Sequence, residues 1–214
     1  GAVDTARATA WSAGTVLITG ASGALAGHAA RYLVTDHHVR HVVLASRQGD
    51  TSPRTVRLAA ELAELGAAVR VVACDVADGD QVAALVRSVE PEFPLTAVVH
   101  CAGVLDDGVF GSLTAERVDA VLAPKVDGAW HLHEQTRELD LSAFVLFSSS
   151  ATAFGAPGQA NYAAANAFLD ALAVERHRQG LPAVAISWGW WGEDSGMAEN
   201  LSETDVARMG RGGM

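Results

Sequence analysis

A doubly wound parallel α/β sheet in three layers is predicted for this 214-residue chain, and three observations predict it. Six short runs are almost wholly apolar, as strands covered on both faces must be. Longer amphipathic stretches separate these runs one by one, and each parallel return needs such a crossover. Composition agrees: half the residues are hydrophobic and 19% are charged, which favours helices packed on a sheet over disorder. The length suffices for one domain with a real core.

The first dozen residues, GAVDTARATAWS, are small and polar, so residues 1–13 read as a linker. The strand candidates follow: TVLIT (15–19), HVVLA (41–45), VRVVA (69–73), LTAVVH (95–100), AFVLF (143–147) and AVAISW (183–188). Helical patterns cover 24–35, 54–66, 80–90, 114–137 and 159–179. Thr114, with Arg117 three residues on, starts one helix; Gly66 and Gly180 stop two others. Pro124 is expected to kink the fourth helix or split it in two. The Rossmann-like unit therefore runs from 14 to 188. Residues 189–214 turn Gly-rich and irregular, with one short helical piece near 202–209. A closing strand is expected after 188 and none is found, so the chain reads as part of a longer one.

A net charge of -10 leaves nothing to neutralise a phosphate backbone, which argues against nucleic acid. No run approaches the ~18 apolar residues of a membrane span. Cys74 and Cys101 lie at or just past the ends of apolar runs, where buried thiols are ordinary. They are read as reduced and the protein as cytoplasmic. The eight histidines show no metal spacing, since His131 and His133 fall on nearly opposite faces of a helix.

The first strand runs into TGASGALAG (19–27) and then a helix. A Gly-rich turn here lets backbone amides and a helix N-terminus hold a pyrophosphate. Gly20, Ala21, Ser22, Gly23 and Leu25 are the candidate contacts. The last glycine of the dinucleotide pattern falls on Ala26, with Gly27 after it; this methyl is expected to shift the helix slightly and weaken the cofactor. At the end of the second strand an NAD site would place an acidic residue. Ser46 and Arg47 stand there instead, and a guanidinium suits a 2′-phosphate, so NADPH is expected over NADH. The other reading of Arg47 is an exposed arginine without a role. Asp75 and Val76 are placed to border the adenine, and Ala102 and Gly103 to let backbone approach the cofactor.

Ser149 follows the fifth run, at the carboxyl edge where ligands of open α/β sheets lie. Thirteen residues on comes Tyr162, and four further, on the same helix face, Asn166. A reductase that uses Tyr as proton donor wants a lysine nearby. The chain has fourteen arginines and one lysine, Lys125, just after Pro124.

TGASGALAG, HCAGVLDDG, PKVDGAWHL, LFSS and GQANYAAANAFLDALA together resemble the motifs of the ketoreductase domains of modular polyketide synthases, within the short-chain dehydrogenase/reductase superfamily. The likeness covers residues 14 to about 200. It implies that Lys and Asn have exchanged places in the usual tetrad, so Lys125, Ser149, Tyr162 and Asn166 are the expected catalytic set. Tyr162 would protonate the ketone oxygen and Ser149 hydrogen-bond it. Lys125 would lower the phenol pKa and hold nicotinamide ribose, and Asn166 would support the relay.

The same resemblance implies that Leu105, Asp106 and Asp107 mark a B-type reductase, which gives the D-configured, (3R) alcohol. Without the family, two loop aspartates read as a solvated turn. Phe154 stands where the A-type has Trp, and Ala164 where an epimerising B subtype has Pro, so B1 is expected. Gln159 and Met197 join the substrate-facing set, with Leu201 near the acyl chain. Trp190 or Trp191 would lie at the cofactor edge or simply pack. The lid would be 189–214. Implied partners are an acyl carrier protein bearing a phosphopantetheine-linked β-ketoacyl chain and an N-terminal structural subdomain; no metal is expected. Two other readings stay open: a freestanding short-chain reductase of a small carbonyl, and a non-catalytic module that binds cofactor or scaffolds a synthase.

Overall fold

Successive strand residues point to opposite faces of a sheet, so two helical layers must cover a strand that is apolar throughout. The computed structural model describes residues 11–189 and bears this out for the central strands, while the two edge strands are partly exposed. The strands are β1 Thr15–Thr19, β2 His41–Ser46, β3 Ala68–Ala73, β4 Leu95–His100, β5 Ala143–Ser149 and β6 Val184–Trp188. The helices are α1 Ala24–Thr35, α2 Pro53–Glu64, α3 Gly79–Arg87, α4 Ala115–Thr136, α5 Ala151–Phe154 and α6 Ala160–Arg178. All strand pairs are parallel, in the order β3-β2-β1-β4-β5-β6.

Val16 and Ile18 of β1 pack with Leu33 of α1 and with Leu58 and Leu62 of α2. Leu17, between them, faces the opposite layer, with Val82 of α3, Leu132 of α4 and Leu169 of α6. A fully buried Leu such as Leu17 stabilises the fold by about 1.5–3 kcal/mol. The chain reverses its winding between β1 and β4, the two central strands, and the crevice at such a point is where ligands of this architecture bind.

Local signals set the helix ends. Thr114 Oγ1 accepts from Arg117 N, Asp78 caps α3 through the amides of Asp80 and Gln81, and Ser52 caps α2 ahead of Pro53. Gly66 and Gly180, just past α2 and α6, both lie in the left-handed region.

Two expectations change. Pro124 does not split α4, which runs unbroken for 22 residues. The lost backbone bond costs roughly 3 kcal/mol, offset by the buried apolar Val121, Ala129 and Leu132 on either side. Residues 11–13, read as linker, form a 3-10 turn whose Trp11 packs against the core. The Ala26 methyl is fully buried against the β1 layer, while a Cβ on Gly27 would meet only the Arg31 guanidinium. The close-packed position is thus occupied by an alanine whose methyl packs in the core.

His131 and His133 do go to different neighbours. His131 Nδ1 lies 3.2 Å from Val76 O, and His133 Nδ1 lies 2.9 Å from the Arg176 guanidinium. Arg176 is fully buried over the Phe144 ring and also donates to Pro182 O. Among the described residues no cluster of three His, Cys, Asp or Glu could hold a metal. No helix among them is long and apolar enough to cross a membrane.

Gly128 of α4 marks the tightest contact between the helix and the loop after β3: an added Cβ would lie 2.8 Å from Val76 Cγ2 and 3.3 Å from His100. Gly128→Ala is expected to destabilise the domain by about 1–3 kcal/mol through overpacking. A urea titration measures this, with the midpoint falling at constant slope.

Candidate active site

The carboxyl ends of β1 to β4 open onto a cavity of about 590 Å³. Gly20, Ser22, Gly23, Leu25, Ser46, Arg47, Asp75, Val76, Ala102 and Gly103, all singled out in the sequence, line it. Ala21 does not; it is buried in the β1 layer, and its amide donates to Ala45 O. Gly20 takes φ +69, and a Cβ there would lie 2.7 Å from Ala102 N, so the turn admits only glycine. Gly23 begins α1 without a side-chain cap. The first amides of the helix are thus left to a ligand, which suits a pyrophosphate.

Farther along, Ser46 Oγ is committed to Gly49 N, and the Asp75 carboxylate accepts from Ala77 N. Arg47 is exposed at the cavity edge. A second guanidinium, Arg54 in the first turn of α2, lines the same cavity. Sequence reasoning missed it, although its position just after a Ser-Pro helix start at the nucleotide edge was readable. The donor set and the glycine turn fit a phosphorylated dinucleotide.

Gly103 lines the cavity, and behind it stands Lys125: a Cβ at 103 would lie 2.9 Å from Lys125 Cε and 3.3 Å from Nζ. Lys125 is 3% exposed, its Nζ donates to Phe147 O at 2.9 Å, and it lies 5.5 Å from the centre of the Tyr162 ring. Burial pushes its pKa down to about 8. His100, fully buried beside it and 2.8 Å from Thr19 Oγ1, is pushed down to about 3 by burial and so stays neutral. A neutral imidazole adds no repulsion to the lone ammonium.

Tyr162 is buried in the first turn of α6, with Val121 and Ala151 beside it. Burial raises its phenol above the ordinary value, and hydrogen bonding by Asn166 and Ser149 pulls it back only in part. The net shift is opposite to the lowering that the resemblance implies from Lys125. A raised phenol is protonated at neutral pH, as a proton donor must be. Asn166 Nδ2 donates to Tyr162 O at 2.8 Å, while its buried Oδ1 has no protein donor among the described residues. Ser149 Oγ, at the end of β5, accepts from Ala151 N. The four expected catalytic residues therefore converge from α4, β5 and α6 beside the cavity, and none of the four lines it.

The loop carrying Leu105, Asp106 and Asp107 crosses above them, and only Leu105 of the three lines the cavity. The aspartates do not form a solvated turn. Asp106 is paired with Arg117, which holds its carboxyl well below the usual range, and Asp107 Oδ2 accepts from Gln159 Nε2 at 2.8 Å. Phe154 is 82% exposed at the end of α5. Met197, Trp190, Trp191 and Leu201 lie outside the described residues.

Comparison with known proteins places these residues in context. Residues 14–193 match the family model described as KR domain. The chain is 60% identical over 201 residues to polyketide synthase GfsA of Streptomyces halstedii, covering 94% of this chain and 3% of that protein. It is 54% identical over 204 residues to mycoketide-CoA synthase of Mycobacterium tuberculosis, covering 95% and 5%. The chain thus spans a small fraction of the length of the curated relatives it matches. Among solved structures, A-type ketoreductases from a modular polyketide synthase superpose with a TM-score of 0.81 at 49% identity, over 84% of this chain and 38% of that one.

A lysine whose folded pKa is depressed to about 8 binds fewer protons folded than unfolded between there and its ordinary 10.5. Its contribution to stability therefore rises with pH across that window. The stability difference between wild type and Lys125→Met is expected to shift in favour of wild type as pH rises from about 8 to about 10.5. Denaturant titrations at several pH values read it, and a difference independent of pH would contradict the buried ammonium.

Proposed function

The chain belongs to the KR-domain family, the ketoreductases of modular type I polyketide synthases, and from that premise we propose its reaction. It reduces a β-ketoacyl thioester, carried on the phosphopantetheine of an acyl carrier protein, with NADPH, to the D-configured (3R)-β-hydroxyacyl product. The observation that carries this reading is the convergence of Lys125, Ser149, Tyr162 and Asn166 beside a cavity with a glycine turn at one end.

NADPH bound along β1 to β4 would supply hydride to the ketone carbon. The chain's own residues manage the oxygen. Tyr162, kept protonated by burial, gives its proton to the developing alkoxide. Ser149 hydrogen-bonds that oxygen, a donor aimed where charge develops. Lys125 stays largely ammonium at neutral pH and steadies the phenolate left behind, across the face of the Tyr162 ring. Asn166 holds the first turn of α6 through its bond to Tyr162 O and offers its buried carbonyl to the proton path.

Arg47 and Arg54 together supply the charge for a 2′-phosphate. Leu105, Asp106 and Asp107 support the D-alcohol, although the solved structure described above carries an A-type label. An N-terminal structural subdomain and the acyl carrier protein are the expected neighbours within the synthase.

Two outcomes are expected. Arg47→Glu should reduce the preference for NADPH over NADH by roughly tenfold or more, about 1.4 kcal/mol per tenfold, read as the ratio of kcat/KM for the two cofactors. With a 2-methyl-3-ketopentanoyl thioester, wild type should consume NADPH and give a single D-alcohol on chiral separation, while Tyr162→Phe should lose turnover and keep cofactor binding. Production of the L-alcohol would keep the reductase assignment and overturn its stereochemistry.

A further inference from the structure

Lys125 and Tyr162 sit on different helices, α4 and α6, which pack directly against one another. Above them, one loop makes the connection. Its Gly108 N donates to Gly158 O at 2.8 Å, Asn161 Nδ2 donates to Asp106 O at 2.9 Å, and Gln159 Nε2 donates to Asp107 Oδ2 at 2.8 Å. These three bonds tie residues 106–108 to the segment that starts α6, and Asn161 Oδ1 in turn accepts from Tyr162 N.

The other side of the loop is held by Arg117 in the first turn of α4. Its Nε donates to Asp106 Oδ1 at 2.9 Å, Nη1 to Ser112 O at 2.9 Å, and Nη2 to Asp107 O at 2.6 Å, with a further contact from Nη2 to Asp106 Oδ1. One planar guanidinium thus bridges a carboxylate and two backbone carbonyls, a geometry that a lysine's point charge cannot reproduce. The pair is about two-thirds shielded from solvent. Two exposed side chains, Val109 and Phe110, stand on the loop's outer edge next to this clamp.

We propose that Arg117 is a positioning residue for the reduction. By locking the 104–109 loop to α4 while the loop is bonded to the start of α6, it fixes the rim over which the acyl chain reaches Tyr162, and so which product configuration forms. This rests on the reductase reading above. Arg117 itself touches none of the four expected catalytic side chains among the contacts described, so its effect passes through Asp106 and Asp107.

The test compares wild type, Arg117→Gln, Arg117→Lys, Asp106→Asn and the Arg117→Gln/Asp106→Asn pair in the full-length polypeptide. For Arg117→Gln, kcat/KM with the 2-methyl-3-ketopentanoyl thioester should fall by roughly tenfold to a hundredfold. The single alcohol should become a mixture, while NADPH affinity by fluorescence titration is unchanged. Asp106→Asn should give a similar loss, and the double variant little more than either alone, as residues acting as one unit do. Arg117→Lys should be intermediate, and it decides the matter if the glutamine variant does not fold. Hydrogen exchange reads the clamp without any turnover: residues 104–109 and 158–162 should exchange faster in Arg117→Gln while β1 and β4 keep their protection. Wild-type product ratio and wild-type exchange in Arg117→Gln would overturn the proposal. So would additive losses in the double variant, or loss of protection throughout the domain. A wild-type protein that does not reduce the thioester would instead overturn the reductase reading, and the exchange experiment would still judge the clamp.

Discussion

One buried ammonium constrains much of this structure. Lys125 is the chain's only lysine, it is nearly inaccessible, and its hydrogen bond goes to the carbonyl of Phe147 in β5. Desolvating a charge costs several kcal/mol unless partners are ready, and the surroundings supply them in a particular shape. Gly103 has no Cβ because the lysine stem occupies that space. His100 stays neutral chiefly because it is buried, with the nearby ammonium adding to the effect. Helix α4 continues through Pro124 because breaking it would withdraw the very residue that follows.

The phenol and the ammonium are consequently poised by the same burial in opposite directions. Low polarity favours the neutral form of each, raising Tyr162 and lowering Lys125. For a tyrosine that must arrive protonated this is an advantage, and for a lysine that must stay charged it is tolerable, because its pKa stops near 8. The two cysteines show the same influence without a role: burial pushes Cys74 up to about 11 and Cys101 higher still, so both are poor nucleophiles.

The strands were legible because each is almost wholly apolar, and the predicted bounds of β1 and β4 are the observed ones. Helix ends were legible wherever a side chain or glycine closes the turn, as at Thr114 and Gly180. What local rules missed is tertiary. Pro124 reads as a break, and only the burial on both sides of it keeps the helix whole. The cavity contacts followed from the glycine turn and the strand ends, yet Arg54 went unseen because a helix N-terminus gives no sign of which way its side chains turn. Lys125 was reached by resemblance, since no spacing relates it to Tyr162. Arg117 was noticed only as the residue after a helix cap, because its partners lie about ten residues back along a loop with no periodicity.

Residues 106–108 and 158–161 are some fifty positions apart in the chain and yet exchange three hydrogen bonds. Anyone recombining such domains would see two separate loops and be tempted to graft one. Moving the first alone would bring a carboxylate to a place where Gln159 no longer answers it, and an unanswered, partly buried acceptor costs about 1–3 kcal/mol. The two segments are therefore a single unit of inheritance: a crossover point placed anywhere between them divides one device, and those placed before 104 or after 162 leave it whole.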